Sequence, residues 1–207
     1  MLIDYSLYLV ADAEYASGRN LIGLIEEAVR GGASLVQLRA KNLPSRDLLD
    51  LGLRIADLLA RSGVPLLVND RVDVALACGA AGVHLGREDM PVDQARRLLG
   101  PDRIIGVSVN TPEEALRAER EGADYVGANP AYVTTTKEIA LPVLGPEGIG
   151  RIKRTVRIPV VAIGGIGSAN AAALAAAGAD GIAVISAILG APDARRAAEE
   201  LKKAFKG

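Results

Sequence analysis

The fold of this chain is decided by the stretch "LLVNDRVDVALACGAAGVHLGREDM", which spans residues 66–90. Two short runs in it, "LLV" and "GVHL", are each followed by a polar cluster that contains an aspartate, Asp70 or Asp89. The segment between the runs reads as a short helix. A strand, a helix and a second strand in this order predict two parallel strands, whose carboxyl ends lie at the same edge of a sheet.

The same alternation of strand and helix recurs eight times along the chain. Helical spacing is clearest in 47–63 and in 111–123, where Thr111 is a plausible N-cap. Eight such units without a long excursion favour closure into a (β/α)8 TIM barrel, a single catalytic domain over 1–207, although an open doubly wound sheet is the alternative. The candidate strands are 7–12, 34–40, 65–70, 82–86, 103–109, 124–128, 159–165 and 181–187.

Composition excludes several classes of function. The net charge of −1 and the scattered charges give no case for nucleic acid or an anionic membrane as a partner. Cys78 is the only cysteine, so no intrachain disulfide or thiolate zinc cluster can form, and a cytoplasmic location is expected. The apolar stretch 170–191 has the length of a membrane span, but Asp180 divides it into a helix and a strand.

A weak internal repeat supports the barrel. A glycine that ends a helix precedes every second strand, at Gly32, Gly79, Gly122 and Gly178. The last interval is longer by about one extra loop, "NPAYVTTTKEIALPVLG" at 129–145, which a barrel would place after its sixth strand. Long loops at the carboxyl ends of strands usually carry function.

The two aspartates of the opening stretch are candidate metal ligands. Neighbouring strands lie roughly 4.8 Å apart, so Asp70 and Asp89 could reach one hard cation. Magnesium is the natural candidate, because it prefers few carboxylates together with water and phosphate oxygens. The alternative is that each aspartate caps the helix that follows it.

The second strand carries polar residues on one face. In "VQLRAK", Gln37, Arg39 and Lys41 alternate with apolar residues, so they should point into or over the barrel mouth. An isolated arginine there would be costly without an anionic partner. The functional interpretation is a site for an anion; the structural one pairs Arg39 with an internal carboxylate and leaves Lys41 solvated.

Two further groups of residues point to phosphate chemistry. The long loop contains "TTTKE" at 134–138, although such a loop could be plain surface. The ends of strands seven and eight carry Gly164, Gly165 and Ser186, where barrels customarily bind phosphate, although both could be ordinary tight turns.

The remaining polar residues of the strands give weaker signals. His84, the only histidine, is better explained as a core or supporting residue than as a catalytic one, and no Ser/His/Asp triad or His/Cys zinc site is available. Asp12, at the end of the first strand, either borders the site or only caps the segment that follows the strand.

Taken in order, these motifs resemble those of the thiamine-phosphate synthase family over nearly the whole chain. The specific blocks are QLR-x-K and NDR-x-D…G-x-HLG…DM. The resemblance implies a transferase that joins 4-amino-2-methyl-5-hydroxymethylpyrimidine diphosphate to a thiazole phosphate, carboxylated or not, and releases thiamine phosphate and diphosphate. It also implies Mg²⁺ as cofactor and allows a homodimer.

The resemblance assigns roles residue by residue. Asp70 and Asp89 would hold Mg²⁺. The pyrimidine diphosphate site would comprise Gln37, Arg39, Lys41, Asn69, Ser108 and Lys137, of which Arg39, Lys41, Ser108 and Lys137 would be catalytic. The thiazole phosphate site would comprise Thr134, Thr135, Thr136, Gly165, Ile185 and Ser186.

The chain departs from the family pattern at four positions. Asn110 stands where histidine is common, Asn129 and Val133 replace the usual glycine and proline, and Arg87 replaces glutamine. Two other functions on the same barrel are weighed against the synthase: a thiazole tautomerase, which needs a proton-transferring residue that Asn110 cannot be, and a non-catalytic phosphate-binding regulator.

Overall fold

Eight parallel strands form a closed barrel in which each strand pairs with the next and β8 returns to β1. The computed structural model of the chain describes residues 3–134, 136 and 141–207. The (β/α)8 barrel expected from the alternation is therefore confirmed. The strands are β1 (Leu7–Asp12), β2 (Leu35–Arg39), β3 (Leu66–Asn69), β4 (Gly82–Leu85), β5 (Ile104–Val109), β6 (Tyr125–Ala128), β7 (Val160–Ile163) and β8 (Gly181–Val184).

Helices connect the strands and cover the outside of the barrel. Thr111 is the N-cap of the fifth helix, as expected, and its side chain accepts a hydrogen bond from the Glu114 N–H. The helices within the described ranges are α1 (Leu21–Arg30), α2 (Ser45–Ala60), α3 (Val72–Ala77), α4 (Val92–Leu99), α5 (Pro112–Glu121), α6 (Gly145–Thr155), α7 (Ala171–Ala176), α8 (Ser186–Leu189) and α9 (Ala194–Lys206).

The repeated glycines sit where the chain turns from a helix into the next strand. Gly32, Gly79, Gly122 and Gly178 all have positive φ angles, between 67° and 101°. Side chains with a Cβ rarely adopt this conformation, so glycine is the residue that can end these helices abruptly. The repeat in the sequence therefore reflects a backbone geometry that recurs before every second strand.

The strands bury both faces, and the two faces differ in character. Outward-facing residues such as Val36 and Leu38 pack against the helices in the larger core. Inward-facing residues such as Tyr8 and Leu67 fill a smaller core inside the barrel. The alternation expected for β2 is therefore confirmed, because Gln37 points inward and bonds to Tyr8.

The apolar segment near the carboxyl terminus divides as expected. It forms α7 and β8, and Asp180 lies between them, where it accepts hydrogen bonds from the Val160 N–H and from Lys153, both at 2.7 Å. In the described ranges, every helix is too short or too polar to cross a bilayer.

The inside of the barrel is packed closely around Tyr125, which is 1 % exposed. Its ring lies against the backbone of Gly106 on the neighbouring strand, and a Cβ added to Gly106 would come within 2.0 Å of the tyrosine ring. The Tyr125 ring cannot move aside easily, because its hydroxyl group is hydrogen-bonded to Tyr8 and His84.

We predict that Gly106→Ala lowers the free energy of unfolding by about 1–3 kcal/mol or more, because the added methyl group overpacks the barrel. Urea unfolding followed by circular dichroism measures the effect. The matched control is Gly167→Ala, where an added Cβ meets nothing within 4 Å. Equal stability of the two variants would contradict the packing argument.

Candidate active site

A pocket with about 730 Å³ of open space lies at the carboxyl ends of the strands. Its wall is contributed by strands from all around the barrel and by the long loop after β6. The expected site residues that line it are Gln37, Arg39, Asn69, Ser108, Thr134, Thr136 and Ile185. It is also lined by residues that the sequence did not single out for it: Tyr8, Val10, Tyr125, Gly127, Val161, Ile163 and Ala183.

The two aspartates of the opening stretch meet beside this pocket. Lys41 Nζ lies 3.1 Å from Asp70 Oδ2, and the Gly86 N–H donates to Asp89 Oδ2 at 2.6 Å. Burial raises the pKa of Asp89, and the Asp70 carboxyl, close enough to share a hydrogen bond with it, raises that pKa further. The two carboxyl groups therefore repel each other when both are ionised.

The capping alternative for these aspartates is wrong. The N-caps of α3 and α4 are Arg71 and Pro91, and neither helix has a side-chain hydrogen bond at its cap. Asp70 instead has a φ angle of +63°, the only positive value among the described non-glycine residues. Such a conformation is uncommon outside glycine, and it places Asp70 before Arg71, the N-cap residue of α3.

The donor set of the two aspartates fits a magnesium ion. No group of three or more His, Cys, Asp or Glu side chains able to hold a metal is found in residues 3–134, 136 and 141–207. Mg²⁺ does not need one, because it keeps several waters and is commonly held by one or two carboxylates together with substrate phosphates. A divalent cation would also relieve the repulsion between Asp70 and Asp89.

Arg39 lies at the pocket wall and is paired, as its structural interpretation expected. Its guanidinium forms an ion pair with Asp12, and Glu14 Oε2 lies 3.9 Å away. Asp12 also accepts a hydrogen bond from the Tyr15 N–H at 2.9 Å, so it orders the turn after β1 as well as holding Arg39. The pairing aims the guanidinium and does not remove it from the pocket.

A line of hydrogen-bonded side chains crosses the inside of the barrel and ends at Ser108. The Gln37 amide donates to Tyr8 Oη, and Tyr8 Oη lies 2.9 Å from Tyr125 Oη. Tyr125 Oη is 2.8 Å from His84 Nδ1, and His84 Nε2 is 3.0 Å from Ser108 Oγ. His84 is thus a supporting residue of the pocket, as expected, while the two tyrosines were missed.

The signal that could have found the tyrosines is the period of two that was applied to β2. In β1, Tyr8 and Val10 alternate with Leu7, Leu9 and Ala11, which places the tyrosine on the inward face. Tyr125 stands at the same kind of position in β6.

The long loop brings hydroxyl groups to the far side of the mouth. Thr136 Oγ1 donates to Ser186 Oγ at 3.2 Å, and the Thr136 N–H donates to Thr134 Oγ1. Two further residues of this loop lie outside the described residues: Thr135, which the resemblance assigns to the thiazole phosphate site, and Lys137, which it assigns to the pyrimidine diphosphate site. The loop backbone packs on Gly165, where an added Cβ would come within 2.3 Å of the Val133 carbonyl oxygen.

Comparison with known proteins settles the family of this barrel. A family model described as thiamine monophosphate synthase matches residues 7–188. The chain belongs to the thiamine monophosphate synthase family.

Individual relatives of this family match over almost their whole length. The chain is 50% identical to a thiamine-phosphate synthase of Chloroflexus aurantiacus over 201 residues, which cover 97% of this chain and 93% of the relative. It is 51% identical to one of Albidiferax ferrireducens over 197 residues, 95% of this chain and 90% of the relative. The solved thiamine phosphate pyrophosphorylase from Pyrococcus furiosus superposes with a TM-score of 0.90 at 43% identity, covering 98% of this chain and 96% of that one. Because these relatives, about half identical over nearly the whole chain, are thiamine-phosphate synthases, the chain is a transferase enzyme.

Three of the positions that the resemblance marks as departures from the family pattern are linked in space. Arg87 forms an ion pair with Glu114 at 2.8 Å, and Glu114 Oε2 accepts a hydrogen bond from the Asn110 N–H. The Asn110 side chain, 7 % exposed, donates to the carbonyl oxygens of Asn129 and Pro142. Asn110 therefore ties together the two ends of the long loop. Val133, the fourth departure, is exposed on that loop.

We predict that Asn110→Ala loosens the base of the long loop, because two carbonyl oxygens lose their donor. Amide hydrogen exchange at Tyr132 and Leu144, whose N–H groups bond to Gly164 and Pro130, should become about tenfold faster or more.

The matched control is Asn42→Ala, an exposed asparagine outside this loop. Exchange at Asp124, whose N–H bonds to Ile105 on the barrel, should stay unchanged in both variants. Unaltered exchange at Leu144 in Asn110→Ala would show that the loop is held by other contacts.

Proposed function

We propose that the chain joins 4-amino-2-methyl-5-hydroxymethylpyrimidine diphosphate to a thiazole phosphate, carboxylated or not, and releases thiamine phosphate and diphosphate. The observation that carries this proposal is the division of the barrel mouth. Lys41, Asp70 and Asp89 follow β2, β3 and β4, whereas the hydroxyl groups of Thr136 and Ser186 follow β6 and β8. A site with two differently charged sides suits two phosphorylated substrates.

The side formed after β2, β3 and β4 would receive the diphosphate. Asp70 and Asp89 would hold Mg²⁺, which, when bound, neutralises charge on the departing oxygens. Lys41 is half-exposed and paired with Asp70, so its ammonium group can turn toward an incoming diphosphate without leaving a buried charge behind. Arg39, held in place by Asp12, adds a second cation whose position is already set.

The side formed after β6 and β8 would receive the thiazole phosphate. Thr134, Thr136 and Ser186 offer hydroxyl donors that already lie within one hydrogen-bonded group. Gly165 allows the loop to approach closely, and Ile185 provides an apolar wall. Thr135 completes this set on the strength of the resemblance alone, and the same resemblance assigns Lys137 to the pyrimidine diphosphate.

The pyrimidine ring would occupy the pocket between these sides, against Gln37, Asn69 and Ser108. Loss of diphosphate from the benzylic-type carbon of an electron-rich aminopyrimidine leaves positive charge on the ring system and negative charge on the leaving group. The thiazole nitrogen is itself the nucleophile, so the chain needs no base or covalent intermediate. What its residues supply is positioning of both substrates and fixed charges around the leaving group.

Two alternatives fit the site less well. A thiazole tautomerase needs a residue that moves a proton, but Asn110 cannot titrate, and its amide is engaged with two backbone carbonyls. A regulator that senses one phosphate would have no use for the paired aspartates beside Lys41. A cytoplasmic location, expected from the single cysteine, and a homodimer, which the resemblance allows, belong to the proposal as well.

The direct test is incubation of the purified chain with both substrates and Mg²⁺. Thiamine phosphate should form, should require both substrates, and should cease when the metal is chelated and resume when Mg²⁺ is restored. Isomerisation of a carboxythiazole phosphate in the absence of the pyrimidine substrate, followed by NMR, would instead establish the tautomerase.

We predict that Asp70→Asn and Asp89→Asn each lower turnover by about tenfold or more while the fold is retained, because each removes a charge that holds the metal. Raising the Mg²⁺ concentration should partly rescue at least one of them. The control is Asp57→Asn, an exposed carboxylate on α2 that pairs with Arg61. Turnover close to that of the unsubstituted chain in both variants at low Mg²⁺ would refute the metal assignment.

A further inference from the structure

The line of polar side chains inside the barrel has a direction that follows from its contacts. Its members come from five strands and are joined end to end: Gln37, Tyr8, Tyr125, His84 and Ser108. Gln37 and Ser108, at the two ends, both line the pocket. Each phenol has one hydrogen to donate, so the donor at one end determines which way every later hydrogen points.

The direction starts at Gln37, whose amide nitrogen donates to Tyr8 Oη. Tyr8 is 1 % exposed, so its own hydrogen needs an acceptor inside the barrel, and its other contact is Tyr125 Oη at 2.9 Å. Tyr8 therefore donates to Tyr125. In the reverse direction Tyr8 Oη would accept two hydrogens, and its own would have no acceptor among the described contacts.

The same reasoning continues to the histidine. Tyr125, having accepted from Tyr8, donates to His84 Nδ1 at 2.8 Å. A nitrogen that accepts carries no hydrogen, so the neutral imidazole must carry its hydrogen on Nε2. Burial raises the pKa of both Tyr8 and Tyr125, so both phenols keep the hydrogens that this chain requires.

We propose that Tyr8, Tyr125 and His84 are positioning residues that hold Ser108 as a hydrogen-bond donor toward the pocket. His84 Nε2–H donates to Ser108 Oγ at 3.0 Å, and the hydroxyl hydrogen of Ser108 is thereby left to point at the substrate. Without this line of hydrogen bonds, the Ser108 hydroxyl group could rotate and present a lone pair to the substrate instead.

The consequence for the substrate rests on the proposed function. The atom that Ser108 contacts must be a hydrogen-bond acceptor, and the ring nitrogens of a neutral aminopyrimidine are acceptors only. A site with a fixed donor binds such a ring and disfavours a ring that presents an N–H at the same place, because two donors would then face each other.

The first experiment reads the direction of the chain without any substrate. Because His84 is the only histidine, ¹⁵N labelling of histidine in a tag-free protein gives the signals of this one imidazole. Nitrogen NMR distinguishes a nitrogen that bears hydrogen from one that does not. We expect a single neutral tautomer with the hydrogen on Nε2. The Nδ1–H tautomer, an imidazolium, or an even mixture of tautomers would overturn the proposal.

The second experiment interrupts the line of hydrogen bonds while keeping the packing of the barrel. Tyr125→Phe removes the donor to His84 Nδ1, so the NMR signals should change to a mixture of tautomers. With the synthase assay, kcat/KM for the pyrimidine diphosphate should fall about tenfold, the size expected for one lost buried hydrogen bond. The matched control is Tyr5→Phe, whose ring lies 5.0 Å from that of Tyr125 in the same core but whose hydroxyl is not in the chain.

A double substitution separates positioning from general damage. In a Ser108→Ala background, Tyr125→Phe should cause no further fall in kcat/KM. The hydrogen-bonded side chains act through the serine, which this variant has already lost. Effects that simply multiply would overturn the proposal. Should Tyr125→Phe fail to fold, Gln37→Leu takes its place, because it removes the donor that sets the direction, and the nitrogen NMR signals should again show a mixture of tautomers. If the protein makes no thiamine phosphate, the proposed function fails. The tautomer of His84 still decides the direction of the hydrogen bonds.

Discussion

The strands of this barrel bury both of their faces below the mouth, so a polar side chain that points inward there needs a partner inside the barrel. The closed sheet leaves no edge at which such a group could reach water. The inward polar residues satisfy one another across strands, from Gln37 through two tyrosines and His84 to Ser108. The requirement to satisfy buried polar groups therefore arranges part of the pocket wall before any ligand is present.

The same closure assembles the charged part of the site. Parallel strands put all their carboxyl ends at one face, so residues from separate strand–loop units meet there. Asp70, Asp89 and Lys41 come together after three neighbouring strands, and burial together with the adjacent Asp70 carboxyl raises the pKa of Asp89. Two anions held this close favour a cation between them, which is why the arrangement suits magnesium and a diphosphate better than it suits a neutral ligand.

Three of the four positions that the resemblance marks as departures from the family pattern are joined by hydrogen bonds and an ion pair. Asn110 stands where the resemblance expects a residue that can carry a proton, and its amide bonds to both ends of the long loop. Glu114 bonds to the Asn110 backbone and pairs with Arg87, so Asn110, Arg87 and Asn129 form one connected group. These positions hold the loop and the wall of the pocket together and supply no reacting group.

The sequence by itself determined the barrel, because strands and helices alternate with a period that local residue patterns express directly. It also determined the inward face of β2 and the position of the long loop, and the resemblance in its motifs named the family. The tertiary structure alone decided the partners: Arg39 with Asp12, Asn110 with Pro142, and Tyr8 with Tyr125, which are 117 positions apart. Such contacts depend on strand register and on side-chain rotamers across the closed barrel. Neither can be predicted from a local sequence pattern.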